Sequence, residues 1–214
     1  MKTNQDYKNA ALAALKGKWA PAVLCAVAYI VIVGASSATT STSDPNSFVF
    51  WKFAGLSLFS ILVVYPLEIG YYNAHRALFN EGDDQLIKNT FKMGFNNWLH
   101  NTFGMFLMMV FVCLWSLLFI VPGIIKAFAY ALTPYILVDK PELSANQAID
   151  LSKAMMKGHK FDLFWLSLSF IGWIILCIPT LGLGLFWLMP YMTTATAAFY
   201  EDVKAEYEAK NANV

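Results

Sequence analysis

The few polar groups inside the long apolar stretches of this chain are the residues whose chemistry matters most. Glu68 lies in the apolar run 50–72, where inserting an ionisable side chain into a membrane costs about 2.5–3.5 kcal/mol. One explanation is structural: Arg76, two helical turns on, or a lysine at the cytosolic end of a helix pairs with the carboxylate. The other is functional, with Glu68 contacting an ion or a ligand. The sequence favours the structural explanation and leaves the functional one open.

The last apolar run, 183–200, carries hydroxyl groups in its second half. Thr193, Thr194 and Thr196 stand among alanines, and small hydroxylated residues let helices approach closely and form hydrogen bonds across the contact. A packing seam is the favoured interpretation, and an opening between helices is the alternative.

No combination of side chains indicates catalysis or metal binding. The HExxH, GxSxG and P-loop motifs do not occur, and His75, His100 and His159 share no motif. The three cysteines lie inside apolar runs without a CxxC pair, which predicts buried free thiols. These are Cys25, Cys113 and Cys177. We therefore expect no catalytic residue, no metal and no cofactor, and a protein that is not an enzyme.

The placement of cations defines the elements that must position these groups. Of the 214 residues, 58% are hydrophobic and 14% are charged, against roughly 25% charged in soluble domains. Thirteen of the fifteen Lys and Arg residues fall in the intervals 1–18, 76–92, 140–160 and 204–210, while the connections between them hold only Lys52 and Lys126. Cationic loops of membrane proteins stay in the cytosol, so both termini are expected there. The net charge of +1 gives no reason to expect nucleic-acid binding.

Six apolar runs reach or approach the length needed to cross a membrane. The predicted spans are 19–38, 50–72, 99–121, 124–138, 161–178 and 183–200. At 1.5 Å per residue, about 20 residues cross a hydrocarbon core of about 30 Å. The short fourth span is expected to gain a turn by tilting or snorkelling, and the first is interpreted as a retained span rather than a signal peptide. The predicted fold is all-α: a single integral membrane domain over 1–214, with 201–214 as a short polar cytosolic tail.

The spans are expected to form three hairpins, each preceded by a cytosolic amphipathic helix at the membrane interface. Tight turns at Val121-Pro-Gly123 and Ile178-Pro-Thr-Leu-Gly182 close two hairpins. The helices before the hairpins end near glycines with adjacent lysines, which are placed to meet lipid headgroups. The candidate headgroup ligands are Lys16, Lys18, Lys157, His159 and Lys160. Ordinary placement of cations in the cytosol also explains these residues, and for the corner at residues 157–160 it is the favoured interpretation.

Several segments together resemble one protein family. They are Leu15-Lys-Gly-Lys-Trp19, Pro66-Leu-Glu-Ile-Gly70-Tyr, Val121-Pro-Gly-Ile-Ile-Lys-Ala127 with Pro134-Tyr135-Ile-Leu, Ser152-Lys-Ala-Met-Met-Lys-Gly-His-Lys160 with Leu168-Ser-Phe-Ile-Gly-Trp173, and Pro190-Tyr-Met-Thr-Thr-Ala-Thr-Ala-Ala-Phe-Tyr-Glu-Asp202. With these segments the chain resembles the bacterial membrane family known as domain of unknown function 975. The resemblance implies a six-helix integral protein of the bacterial cytoplasmic (inner) membrane. It implies no activity and no functional residues.

The function expected from the sequence is the organisation of lipid or partner proteins at the cytosolic face of the membrane, because recognisable polarity concentrates there. Membrane lipid is the expected partner, and a membrane protein or a second copy of the chain is a further candidate. The alternative is a small-solute or ion transporter or channel that uses Glu68 and the Thr-rich face of the last span.

Overall fold

The structure is a computed structural model that describes residues 2–38 and 58–212. These residues form α-helices without any β-strand, which confirms the all-α prediction. The helices are α1 (Asn4–Leu15), α2 (Trp19–Ala38), α3 (Tyr65–Glu81), α4 (Leu86–Phe95), α5 (Trp98–Leu118), α6 (Ile120–Tyr130), α7 (Thr133–Asp139), α8 (Ala145–Met155), α9 (Lys160–Leu168), α10 (Ile171–Cys177) and α11 (Leu185–Ala212). A π-helical turn, Ser60–Val64, leads directly into α3.

Three segments are long and apolar enough to cross a membrane. They are α5, the α6–α7 segment Ile120–Asp139, and the α9–α10 segment Lys160–Cys177. A fourth candidate arises if α1 and Trp19–Gly34 of α2, which meet at 101°, count as one broken span. Predicted span 183–200 lies almost wholly within α11, and residues 50–57 of the predicted second span lie outside the described residues.

The second predicted turn is present, but the first is displaced. Residues 178–184 form consecutive turns, with Leu181 and Gly182 at positive φ. Val121-Pro-Gly123, in contrast, is helical and belongs to the first turns of α6, so the break falls at Phe119, whose backbone is extended. Proline is tolerated in a first helical turn because an amide there needs no intrahelical partner. The fourth apolar helix therefore begins at Ile120, four residues earlier than predicted.

One expectation gains detail and another needs correction. Residues 201–212 of the predicted polar tail continue α11 as a helix, and Val203 is buried there. This extension packs against α1. The packing stabilises it as a helix, because the composition of the segment alone does not predict one. The cysteines are free, but Cys113 is exposed rather than buried because it lies on an uncovered face of α5.

Helices are present at the three stretches that the sequence predicts to be amphipathic helices, as α1, α4 and α8. α1 and α8 each begin with a complete capping box, and the one at Ser144 and Gln147 has the Ser-x-x-Gln pattern typical of this motif. α4 folds back along α3 so closely that a Cβ on Gly94 would lie 2.1 Å from the Pro66 carbonyl oxygen. Glycine permits this close contact between two backbones because it has no Cβ, and the contact holds α3 against α4.

Candidate ligand cavity around Glu68

A cavity of about 390 Å³ lies between α3, α5, α6, α7, α9 and α11. Its volume falls in the range of about 300–1,000 Å³ that is typical of small-molecule sites. The polar side chains that line it are Glu68, Tyr72, Tyr135, Ser167, Thr193 and Thr196. The larger apolar side chains that line it are Met105, Met108, Phe128, Leu163 and Met192. A mostly apolar wall with a few converging polar groups is the usual composition of a ligand-binding site.

Glu68 is half-buried at this cavity, and the partner expected for it is engaged elsewhere. Its Oε1 accepts a hydrogen bond of 3.0 Å from the Tyr72 hydroxyl. Within residues 2–38 and 58–212, neither Arg76 nor any lysine forms an ion pair with it. Arg76 is eight residues further along α3, which corresponds to about 12 Å of rise, and it finds nearer carboxylates. The predicted pair of Glu68 and Arg76 is therefore wrong.

Within the described part of the chain, Lys126 does not pair with Glu68 either. Its ammonium lies over the Trp115 ring, 4.3 Å from the ring centroid. A cation at this position is stabilised by the aromatic face rather than by a carboxylate.

The structure brings two of the three candidate threonines to Glu68. Thr193 and Thr196 line the cavity, while Thr194 is fully buried and donates a hydrogen bond of 2.7 Å to the Pro190 carbonyl. Residues three apart share a helix face and an adjacent residue does not, which explains the division. Thr194 is thus a packing residue, consistent with the seam interpretation, and the other two face an opening.

Tyr135 is a site residue that the sequence reasoning missed. It is 1% exposed, lines the cavity, and its hydroxyl has no hydrogen-bond partner among the residues that the structure describes. Its sequence signal is the Pro134-Tyr135 pair, because a proline also stands beside a tyrosine at Tyr65-Pro66 and at Pro190-Tyr191. An unpaired buried hydroxyl costs about 1–3 kcal/mol unless a ligand or water satisfies it.

An ion-pair cluster adjoins the cavity and was also missed. Arg76 Nη2 lies 2.8 Å from Asp139 Oδ1, and Arg76 Nε pairs with Glu201. Lys204 Nζ lies 2.6 Å from Asp139 Oδ2, and the Tyr200 hydroxyl donates to the same oxygen at 3.0 Å. Burial opposes the charge of Arg76, but its carboxylate partners outweigh this and raise its pKa above the ordinary value. The cluster joins α3, α7 and α11.

Tyrosine rings connect the cavity with this cluster. The Tyr72 and Tyr135 ring centroids are 5.9 Å apart, and Tyr135 stacks on Tyr200 with 4.8 Å between centroids. The Arg76 guanidinium lies over the Tyr200 ring, with its central carbon 4.9 Å from the ring centroid. The cavity wall is therefore continuous with the charged cluster.

The candidate headgroup ligands are divided between two places. Lys18 donates to the Gly82 carbonyl at the end of α3, and Lys16 is exposed beside Gly17, whose φ is 78°. The second group lies near α11, where His159 has carboxylates on both sides. His159 Nδ1 is 3.4 Å from Asp162, and its Nε2 is 3.4 Å from Glu206.

In this second group, Lys157 and Lys160 form no ion pair within the described part of the chain. Lys157 borders a smaller cavity of about 200 Å³ together with His159 and Lys210. The group thus keeps two free cations, while its histidine is engaged by the protein itself.

No metal site is formed within the residues described. These residues contain no group of three or more His, Cys, Asp or Glu side chains placed to hold an ion. His75 is fully buried, its Nδ1 lies 2.9 Å from the Tyr71 carbonyl, and burial lowers its pKa to about 4. A neutral histidine in this position is a core residue.

These features define an all-helical protein with three or four helices able to cross a membrane and a mostly apolar cavity that a few polar side chains line. The family model described as Protein of unknown function (DUF975) matches residues 56–207, which is 152 of the 214 residues. The chain belongs to this family, as its sequence motifs suggest. Neither a curated protein nor a solved structure matches the chain.

Proposed function

We propose that this protein is a multi-pass protein of the bacterial cytoplasmic membrane that binds a small solute in the Glu68 cavity and carries it across the membrane. The observation that carries the proposal is the carboxylate itself. It faces a cavity, accepts a hydrogen bond from Tyr72, and has no cationic partner in the described part of the chain. A charge without a partner in an apolar surrounding is costly, and a ligand that offsets the cost is the simplest reason to retain it.

The proposed topology has six spans and both termini in the cytosol. The alternation of cationic and cation-poor connections supports it, as do the three candidate spans, the apolar helix α2 and the apolar first half of α11. Large apolar side chains of α5 and α10 are exposed, including Leu117 at 86% and Leu176 at 63%, as a lipid-facing surface requires. A C-terminal fluorescent reporter that matures only in the cytosol should fluoresce in cells. Activity of a periplasm-dependent phosphatase fused there would overturn the topology.

Transport is tested with purified protein reconstituted in lipid vesicles. Uptake of radiolabelled amines, amino acids, sugars and alkali cations is measured for the wild type and for Glu68→Gln. We expect uptake of at least one class, lost in the variant because the amide carries no charge. Glu81→Gln is the matched control, since Glu81 is exposed at the far end of the same helix. Absence of any uptake that depends on Glu68 would refute the proposal.

Organisation of lipid at the cytosolic face is the second candidate function. Lys16 and Lys157 are exposed, and each precedes a glycine with left-handed backbone, Gly17 at 78° and Gly158 at 96°. These corners place free ammonium groups at helix ends from which a span begins. Replacing Lys16, Lys157 and Lys160 by Gln should reduce the anionic lipid that co-purifies with the protein. Unchanged lipid content would exclude this role.

A further inference from the structure

The charge balance of the Glu68 cavity indicates the sign of its ligand. The residues that line it include one carboxylate and no Lys, Arg or His. The nearest charged cluster is self-contained, because Arg76 and Lys204 are both engaged with Asp139. A ligand that neutralises Glu68 must therefore supply its own positive charge.

The hydroxyl groups indicate that the ligand is a hydrogen-bond donor. Thr196 and Ser167 each donate to a carbonyl of their own helix, at 2.9 Å in both cases. Their oxygens keep lone pairs and have no hydrogen left to offer. Glu68 adds carboxylate oxygens, and the buried Tyr135 hydroxyl, which can accept as well as donate, has no partner among the residues that the structure describes. The carboxylate and the Thr196 and Ser167 oxygens are acceptors, and they match an ammonium group, which carries only donors.

The remaining wall favours an organic body over a bare metal ion. Met105, Met108 and Met192 supply polarisable thioethers, and the Phe128 ring lies beside them in the lining. Thioethers and aromatic rings pack well against an apolar body, and aromatic faces attract an organic cation. Hard cations instead need a nearly complete shell of oxygen ligands. The wall of this cavity is instead mostly apolar, which suits an organic body.

We infer that the ligand of the Glu68 cavity is an organic ammonium ion, a protonated amine attached to an apolar body of one ring or a short chain. The ammonium lies against Glu68 and the Tyr135, Thr196 and Ser167 oxygens, and the apolar body lies against the methionines and Phe128. This inference rests on the proposed function and specifies its substrate class.

Titration calorimetry with purified protein in detergent tests the inference. The probes are 2-phenylethylammonium, the neutral analogue 2-phenylethanol, and potassium chloride. We expect the ammonium probe to bind at least about tenfold more tightly than the alcohol, a factor that corresponds to about 1.4 kcal/mol. Glu68→Gln should weaken ammonium binding by at least about tenfold, and Tyr135→Phe by about threefold. Glu81→Gln should leave binding unchanged.

The possible results distinguish a failure of this inference from a failure of the proposed transport function. Equal affinity for the alcohol, or binding of potassium but not of the ammonium probe, overturns the ligand class. If Glu68-dependent uptake of another solute is then observed, the transport proposal stands; if none is observed, both fail. If Glu68→Gln does not fold, Glu68→Asp keeps the charge on a shorter side chain. It should retain preference for the ammonium probe over the alcohol, and loss of that preference would refute the inference.

Discussion

Glu68 and Arg76 lie about 12 Å apart along α3, yet the carboxylates at these two places are held in opposite ways. Asp139 and Glu201 share Arg76, and Asp139 also receives Lys204 and the Tyr200 hydroxyl. Among the residues that the structure describes, Glu68 receives a single phenol hydroxyl, and it lines the open cavity. The fully paired carboxylates hold three helices together, whereas the carboxylate without a cation contributes no cross-link. The difference separates residues that build the bundle from a residue that is available to a ligand.

The largest expected effect is that of removing the shared cation. Arg76→Met should lower the free energy of unfolding by about 3 kcal/mol or more, because it leaves partly buried carboxylates without their main partner. The loss is measured by thermal and denaturant unfolding in detergent, followed by circular dichroism. Lys210→Met is the control, since its pair with Glu206 is exposed and should contribute close to nothing. An Arg76 variant as stable as this control would refute the structural role of the cluster.

A smaller effect should follow from separating the two helices that set the position of Glu68. In Gly94→Ala, the added methyl group would lie 2.1 Å from the Pro66 carbonyl oxygen, so α3 and α4 must move apart, at a cost of about 1–3 kcal/mol. Gly172→Ala adds the same methyl group to α10, where nothing lies within 4 Å, and should be neutral or slightly stabilising. Equal melting temperatures for the two variants would contradict the close contact between α3 and α4 at Gly94.

Neutralising Glu68 should leave stability almost unchanged, in contrast to the cluster. Glu68→Gln keeps an oxygen to accept the Tyr72 hydroxyl and removes a charge that lacks a cation, so the free energy of unfolding should stay equal or rise by up to about 1 kcal/mol. The same substitution in the cluster, Asp139→Asn, should be clearly destabilising. If Glu68→Gln is the more damaging of the two in unfolding experiments, then Glu68 is a structural residue and the comparison fails.

The smallest effect concerns the docking of α1 on α11 at acidic pH. Asp202 accepts a hydrogen bond of 2.7 Å from the Tyr7 hydroxyl and pairs with Lys2 at 3.5 Å. Burial raises the pKa of Asp202, but these partners outweigh it and hold the pKa below the ordinary value. Because the folded-state pKa is lowered, the stabilisation is present above the unfolded pKa of about 3.9 and is lost as the pH falls through the folded value.

The mobility of a spin label at the exposed position of Gln5 reports this docking. It should increase as the pH falls below about 4, and Asp202→Asn should remove the transition. A label whose mobility follows the same pH profile in both proteins would show that Asp202 does not control the docking.

Local patterns sufficed for the elements of the fold that depend on neighbours in sequence. The helices α1, α4 and α8, the Ser144 capping box and the turn at residues 178–184 follow from periodicity, capping residues and the Pro and Gly signals. The Pro122-Gly123 pair misled the prediction because proline is compatible with a turn and equally with the start of a helix. The extension of α11 to Ala212 was missed because its order comes from packing against α1.

The sequence also identified Glu68, Thr193 and Thr196 as unusual polar groups in apolar helices, since the cost of burying them depends on composition alone. It could not identify their partners. Arg76 was assigned to Glu68 by helical spacing, but Asp139 and Glu201 reach Arg76 from α7 and α11, 63 and 125 residues away in the chain. The sequence could not assign Tyr135 to the site for the same reason, because only packing brings α7 against α3 and α11.

The sequence by itself thus determined an all-helical protein with apolar helices of membrane-spanning length, and the residues whose burial is costly. Helical periodicity, hydropathy and chain length are properties of local segments, and they are set before any helix meets another. The tertiary structure decided which charges are paired, which threonines face an opening and where a cavity remains. Those outcomes depend on the relative positions of six helices, and side chains compete for partners only after the helices have packed.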